Sequence, residues 1–212
     1  MKDKEFANTG TTTVGIVCKD GIVLAADKRV TAGYIANKHF KKISFITDDL
    51  AVTMAGLVSD AQLLTKLIRA ELQLKDIQSG RTSTIKEAAN LFAGMLYANI
   101  RRMTMLPGIV SFLAGGVDKY GYHLYDLGVD GSVMKIEDFA SDGSGSVFAL
   151  GVLETLYKKG MNVDEGIKLA VKSINAALQR DTASGGGIDI VTITTKGAKQ
   201  VLEKEITFKL EV

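Results

Sequence analysis

Thr11 stands behind Gly10 at the end of a short polar leader and begins the run Thr11-Thr12-Thr13, which leads straight into the apolar alternation Val14-Gly15-Ile16-Val17. A threonine hydroxyl is a weak nucleophile until a base removes its proton. Cutting the Gly10–Thr11 bond would supply that base, because the freed α-amine has an unperturbed pKa of about 8 and sits on the same residue. A nearby cation would lower that value towards neutrality. β-Branching limits the rotamers of Thr11, and Gly10 leaves the junction unencumbered. Taken alone, Thr-Thr-Thr-Val is also an ordinary strand start.

Three further places carry chemistry. Asp27 ends an apolar stretch and Lys42 precedes another. If their strands neighbour the first, Lys42 is the cation beside Thr11 and Asp27 its counter-ion; otherwise both are surface charges at strand ends. Lys28, Lys38 and Lys41 compete with Lys42 on spacing alone. In Met54-Ala55-Gly56 the glycine ends a strand and can turn its N–H towards a developing oxyanion, or simply make a turn. The loops Asp142-Gly143-Ser144-Gly145-Ser146 and Arg180-Asp181-Thr182-Ala183-Ser184-Gly185-Gly186-Gly187 offer small hydroxyls and backbone amides. Neither contains the Gly-Lys-Ser/Thr of a P-loop or a complete G-x-G-x-x-G, so a phosphate cradle is the weaker reading. His39 and His123 are too few for a histidine metal site, and Cys18, the single cysteine, excludes an internal disulfide and reads as core.

The elements that must position these residues follow from periodicity. Strands are expected over 11–18, 22–26, 43–46, 50–55, 109–117, 122–127, 133–137, 188–194 and 200–206, with a loop from 30 to 42 and a glycine–serine loop over 141–146. Ser59 with Gln62, Thr84 with Glu87 and Asn162 with Glu165 have capping-box spacing and open three helices. The first puts Leu63, Leu64, Leu67, Ile68 and Leu72 on one face and runs to Gly80. The second runs towards Pro107. A further helix over 147–159 has Phe148, Leu150, Leu153 and Leu156 as its apolar positions. Hairpins, a helix pair, hairpins, a helix pair and a last hairpin give an α+β fold: a four-layer α-β-β-α sandwich of two antiparallel sheets flanked by helix pairs.

Composition sets the outer bounds. The 212 residues are 46% apolar and 24% charged, which suits one large globular domain over 11–212. A net charge of +2 gives no argument for nucleic acid or for an anionic membrane. No apolar run is long enough for a membrane span. Residues 1–10 are too charged for a secretory signal and read as a tail or a removable propeptide, compatible with a reducing, intracellular location.

In order along the chain, Gly10-Thr11-Thr12-Thr13, Ala26-Asp27-Lys28-Arg29, Lys41-Lys42-Ile43, Ala55-Gly56, Gly143-Ser144-Gly145 with Phe148-Ala149-Leu150-Gly151-Val152-Leu153, and Arg180-Asp181 with Ser184-Gly185-Gly186 resemble the proteasome β-subunits, a family of N-terminal-nucleophile hydrolases. The likeness runs from Thr11 to about Ile206. It implies that Thr11 is the nucleophile, exposed when it cuts its own bond to Gly10, with Lys42 and Asp27 as charged partners and Gly56 as the oxyanion-hole amide. It implies that Ser144, Asp181 and Ser184 hold the N-terminal amine and its water. It also implies a substrate pocket walled by Val30, Thr31, Met54 and Val58, suited to large hydrophobic residues. No metal or cofactor is needed. The implied partners are a homo-heptameric β ring stacked on rings of α-type subunits, an unfolded polypeptide substrate and a regulatory ATPase acting through the α ring, in the cytoplasm. A catalytically silent ring subunit and an amidase of small amides are the alternatives.

Overall fold

The computed structural model describes residues 10–206, so all of the leader but Gly10 lies outside the described residues. Strands β1 (Thr13–Cys18) and β2 (Gly21–Asp27) form the opening hairpin, and β3 (Val30–Thr31) and β4 (Ile35–Asn37) follow. Then come β5 (Ile43–Thr47), β6 (Leu50–Gly56), α1 (Val58–Ser79), α2 (Ile85–Ile100), β7 (Val110–Asp118) and β8 (Gly121–Leu127). The chain continues through β9 (Val133–Ile136), β10 (Phe139–Asp142), α3 (Ser146–Leu156), α4 (Val163–Arg180), β11 (Gly187–Thr194) and β12 (Gly197–Glu205).

Two five-stranded sheets result, ordered β10-β1-β2-β11-β12 and β5-β6-β7-β8-β9, with every pair antiparallel. Strand alternation builds the layers. On β2, Ile22, Leu24 and Ala26 face the core between the sheets, whereas Val23 and Ala25 join the core under α3 and α4. On β7, Leu113 faces the other sheet while Val110, Phe112 and Ala114 pack against α1 and α2. The central strands are buried on both faces, and this is why they read as near-continuous apolar runs. The α+β sandwich expected from the sequence is the fold observed.

Several local expectations need correction. Ser59 does not cap α1: the N-cap is Leu57, without a side-chain bond, and Ser59 Oγ donates to Asp60 Oδ2 instead. The capping boxes at Thr84–Glu87 and Asn162–Glu165 are complete. Leu63 and Leu67 are exposed; α1 buries Ala61, Leu64, Thr65, Ile68 and Leu72. Its apolar stripe is broader than the face that packs. Phe148 and Leu156 are likewise exposed on α3, which buries Ala149 and Leu153. Helix α2 stops at Ile100, well before Pro107, because Asn99 and the Arg101 cap turn the chain into the loop leading to β7. The 30–42 loop contains the β3–β4 hairpin, and β1 starts at Thr13. Strand β10, expected as loop, pairs with β1 with Thr13 opposite Asp142. Its polar end hides a strand whose partner is far away in sequence.

Cys18 is buried in the core under α3 and α4. Burial, with Asp20 and Glu165 adding repulsion, pushes its thiol up to about 12. Only the thiolate is reactive. The folded chain is therefore expected to stay unalkylated by iodoacetamide at about pH 8 while the urea-unfolded chain takes one adduct, as read by intact mass. Equal labelling of both states contradicts this.

Candidate active site

The end of the sandwich at which β1 starts and β2 ends gathers residues from both sheets. Thr13 pairs with Ala26, and the ladder is prolonged by Asp27 N–H donating to Thr12 O at 3.1 Å. This puts Thr11 and Asp27 side by side on one sheet. The other sheet supplies Lys42, just ahead of β5, whose carbonyl accepts Met54 N–H from β6 at 2.9 Å. Gly56 closes β6 opposite Val110.

Lys42 Nζ has three partners: Asp27 Oδ1 at 2.6 Å, Gly10 O at 2.9 Å and Thr11 Oγ1 at 3.1 Å. The Thr11 hydroxyl in turn donates to Gly10 O at 2.7 Å. Lys41, which spacing left as a rival, points away and pairs with Glu203 at 3.1 Å. Asp27 and Lys42 are 0% and 2% exposed, so their attraction is barely screened by water. Burial lowers the pKa of Lys42, and Asp27 offsets part of that. The Asp27 carboxylate is further held by backbone N–H groups: Thr12 at 2.9 Å, Arg29 at 3.0 Å and Gly185 at 2.9 Å.

A hydroxyl network lies on the other side of Thr11. Thr11 N–H donates to Ser144 Oγ at 3.2 Å. Ser144 and Ser184 hydroxyls each donate to Asp181 Oδ2 at 2.6 Å. The Thr12 hydroxyl joins Ser184 at 2.7 Å. Two glycines make this possible. A Cβ on Gly10 would lie 1.9 Å from Ala183 Cβ, and one on Gly143, at φ +94, would lie 2.2 Å from Thr11 O. Gly56 sits at φ +111, also in the region that favours glycine.

A small cavity beside Thr11 is lined by Gly10, Thr11, Val30, Phe40, Lys42, Met54, Gly56 and Val58. It unites the pocket residues expected from sequence except Thr31, whose Oγ1 instead accepts Gly10 N–H at 2.9 Å. Phe40 was missed; its only sequence signal is an aromatic residue directly before Lys41-Lys42. Thr12 and Gly185, which hold Asp27 and Ser184, were missed as well. Their contribution is made largely through the backbone, which residue type does not report. Chemically, the arrangement sets a hydroxyl against the carbonyl of its own preceding peptide bond, with an amine touching both.

Against known families, residues 7–193 match the one described as "Proteasome subunit". The chain is 45% identical over 212 residues to a "Proteasome subunit beta" of Ferroglobus placidus, covering 100% of this chain and 98% of that protein. It is 44% identical to the protein of the same name from Archaeoglobus profundus, covering 97% and 94%. For that of Archaeoglobus fulgidus the identity is 42%, covering 93% and 91%.

Proposed function

From the premise that this chain belongs to the proteasome subunit family, as a protease subunit of a 20S-type core, we propose that it is a threonine-type endopeptidase whose nucleophile is Thr11. Residues 1–10 are a leader removed by Thr11 itself, and 11–212 are one catalytic domain. Lys42 and Asp27 are the charged partners, Gly56 donates to the oxyanion, and Ser144, Asp181 and Ser184 hold the new N-terminus. Val30, Met54 and Val58 border the pocket for a large hydrophobic side chain, and Thr31 steadies Gly10 beside it.

The observation that carries this reading is the set of three contacts at Lys42 Nζ. Of its partners, the Asp27 carboxylate and the Gly10 carbonyl only accept hydrogen bonds; Thr11 Oγ1 alone carries a hydrogen. Loss of one proton from Lys42 therefore lets its lone pair accept from the Thr11 hydroxyl, whose hydrogen turns from Gly10 O to Nζ. The lowered pKa makes that neutral form more accessible. The amine takes the hydroxyl proton, and Oγ1 attacks the carbonyl carbon of Gly10. The resulting tetrahedral centre expels the Thr11 nitrogen, which takes up a proton, and an ester of the leader remains on Oγ1. The α-amine is free from that point; water then hydrolyses the ester, releasing the leader as a carboxylic acid and restoring the Thr11 hydroxyl. The amine then serves as base when Oγ1 attacks a substrate peptide bond, with Gly56 N–H receiving the charge of the carbonyl oxygen.

The same reading makes the working particle a seven-membered ring of this chain, stacked on α-type rings in the cytoplasm and fed with unfolded polypeptide by an ATPase. Its test is the intact mass of the chain alone and after assembly with its α-type partner, with hydrolysis of fluorogenic hydrophobic peptides measured in parallel. Loss of residues 1–10 on assembly, accompanied by the appearance of peptidase activity, is expected. An assembled, active particle that retains its leader defeats the reading.

A further inference from the structure

Asn99 lies on the last turn of α2, buried among the elements that flank Gly56. Its side-chain amide has two hydrogens. One goes to Gly108 O at 2.9 Å, in the lead-in to β7. The other goes to Asp60 Oδ1 at 3.2 Å, in the first turn of α1. These segments are the two shoulders of the Gly56 turn. On one side Gly56 runs through Leu57 into α1. On the other, Ile109 O accepts Leu57 N–H at 2.9 Å, and Gly56 pairs with Val110.

The fit is close enough for a displacement of either shoulder to reach Gly56. A Cβ on Gly56 would meet Ile109 O at 2.3 Å, so the peptide planes there are in contact. A Cβ on Gly108 would meet Asn99 Nδ2 at 2.2 Å and Asp60 Oδ1 at 2.5 Å. The clamp thus closes over a residue that has no side chain. Among the described residues, the side-chain contacts of Asn99 go to Asp60 and Gly108 and not to Thr11, so any effect on the site passes through Gly56.

We propose that Asn99, braced by Asp60, is a positioning residue that aims the Gly56 N–H at the oxygen where charge develops during peptide cleavage. The inference rests on the reading of Gly56 as the oxyanion donor. An oxyanion-hole amide is effective only when aligned with the transition-state oxygen rather than with the ground-state carbonyl. Loosening its shoulders therefore lowers kcat and leaves substrate affinity nearly unchanged.

The test compares assembled particles carrying the wild-type chain, Asn99→Asp, Asn99→Leu and Asp60→Ala. Asn99→Asp keeps the shape but turns a donor towards two acceptors into a further acceptor. Asp60→Ala removes one arm at a less buried position and safeguards against loss of assembly in the other two. Each particle is assayed with a fluorogenic hydrophobic peptide. Each is also inhibited by a peptide aldehyde, which forms an oxyanion-bearing adduct with a nucleophilic hydroxyl, and by the matching peptide alcohol, which does not. For the Asn99 variants kcat is expected to fall about tenfold with KM within about twofold, and for Asp60→Ala about threefold. Aldehyde inhibition should weaken in proportion to kcat while alcohol inhibition holds. Unchanged kcat, or equal weakening of both inhibitors, overturns the proposal. A wild-type particle that binds aldehyde no better than alcohol instead overturns the underlying reading of the site, and the two failures are told apart by which particle shows them.

Discussion

Replacement of Thr11 by alanine is expected to leave the leader in place and to remove peptidase activity, by at least about 10⁴-fold in kcat/KM, the scale seen when a catalytic nucleophile is deleted. The fold should survive. Among the described residues, Thr11 Oγ1 hydrogen-bonds to Gly10 O and Lys42 Nζ, both of which keep other partners. Thr11 also precedes β1, so it contributes no rung to the sheet. Intact mass on the assembled particle reads the leader, and a fluorogenic peptide reads the rate. A Thr11→Ser variant retains a hydroxyl at the same distance from Lys42 and should process and cleave, more slowly for want of the methyl that restricts the rotamer. An assembled Thr11→Ala chain that loses residues 1–10 would mean that another protease cuts the junction.

Lys42→Ala and Lys42→Arg form the second large prediction. Deleting one partner of a buried ion pair typically costs about 3–5 kcal/mol. Asp27 keeps three backbone donors from Thr12, Arg29 and Gly185, so a loss near the lower end, about 3 kcal/mol, is expected for Lys42→Ala. Both variants should lose leader removal, and the arginine variant is the sharper test. It restores the charge beside Asp27, yet a guanidinium does not release its proton in the working pH range, so it cannot accept one from Thr11.

The pH dependence follows from the same residue. Because burial holds the folded pKa of Lys42 below the ordinary lysine value of about 10.4, the unfolded chain carries a proton that the folded chain lacks across the intervening range. The cost of burying the ammonium is present in full below the folded pKa and disappears as pH rises towards the unfolded value. Stability contributed by this site therefore increases with pH through that window. The rate of leader removal should climb along a limb below the usual lysine range, and Lys42→Arg should abolish both effects. A Lys42→Arg chain that processes at the wild-type rate contradicts a proton-accepting lysine.

Much of this architecture is legible in the sequence, and the reason differs from one element to another. Thr84 with Glu87 and Asn162 with Glu165 marked helix starts because a capping box is local: both partners lie within one turn. Ser59 with Gln62 carried the same spacing and failed, since the chain enters α1 at Leu57 directly from the Gly56 turn, and the turn is set by contacts with Ile109 rather than by the helix itself. The two buried sheets were readable from their β-branched runs. Strand β10 was not, because Ser141 and Asp142 look like loop until β1 lies alongside. Phe148 and Leu156 are apolar positions that stay exposed on α3, because hydrophobicity alone does not report which face of the helix meets the sheet.

By itself, the amino-acid sequence determined the order of the helices and of the long apolar strands, the α+β class, the Gly10–Thr11 junction and the few charged residues that interrupt apolar strands, all of which are properties of neighbours along the chain. Tertiary structure decided between Lys41 and Lys42. They are adjacent in sequence and chemically identical, and only the alternation of side chains at the head of β5 sends one inward to Thr11 and the other outward to Glu203. It also decided that Asp27, Ser144 and Asp181 converge on Thr11, and that Asn99 spans both shoulders of Gly56. Those meetings depend on how two sheets stack at one end, a geometry set by the burial of both sheets' faces and invisible to any local pattern of residues.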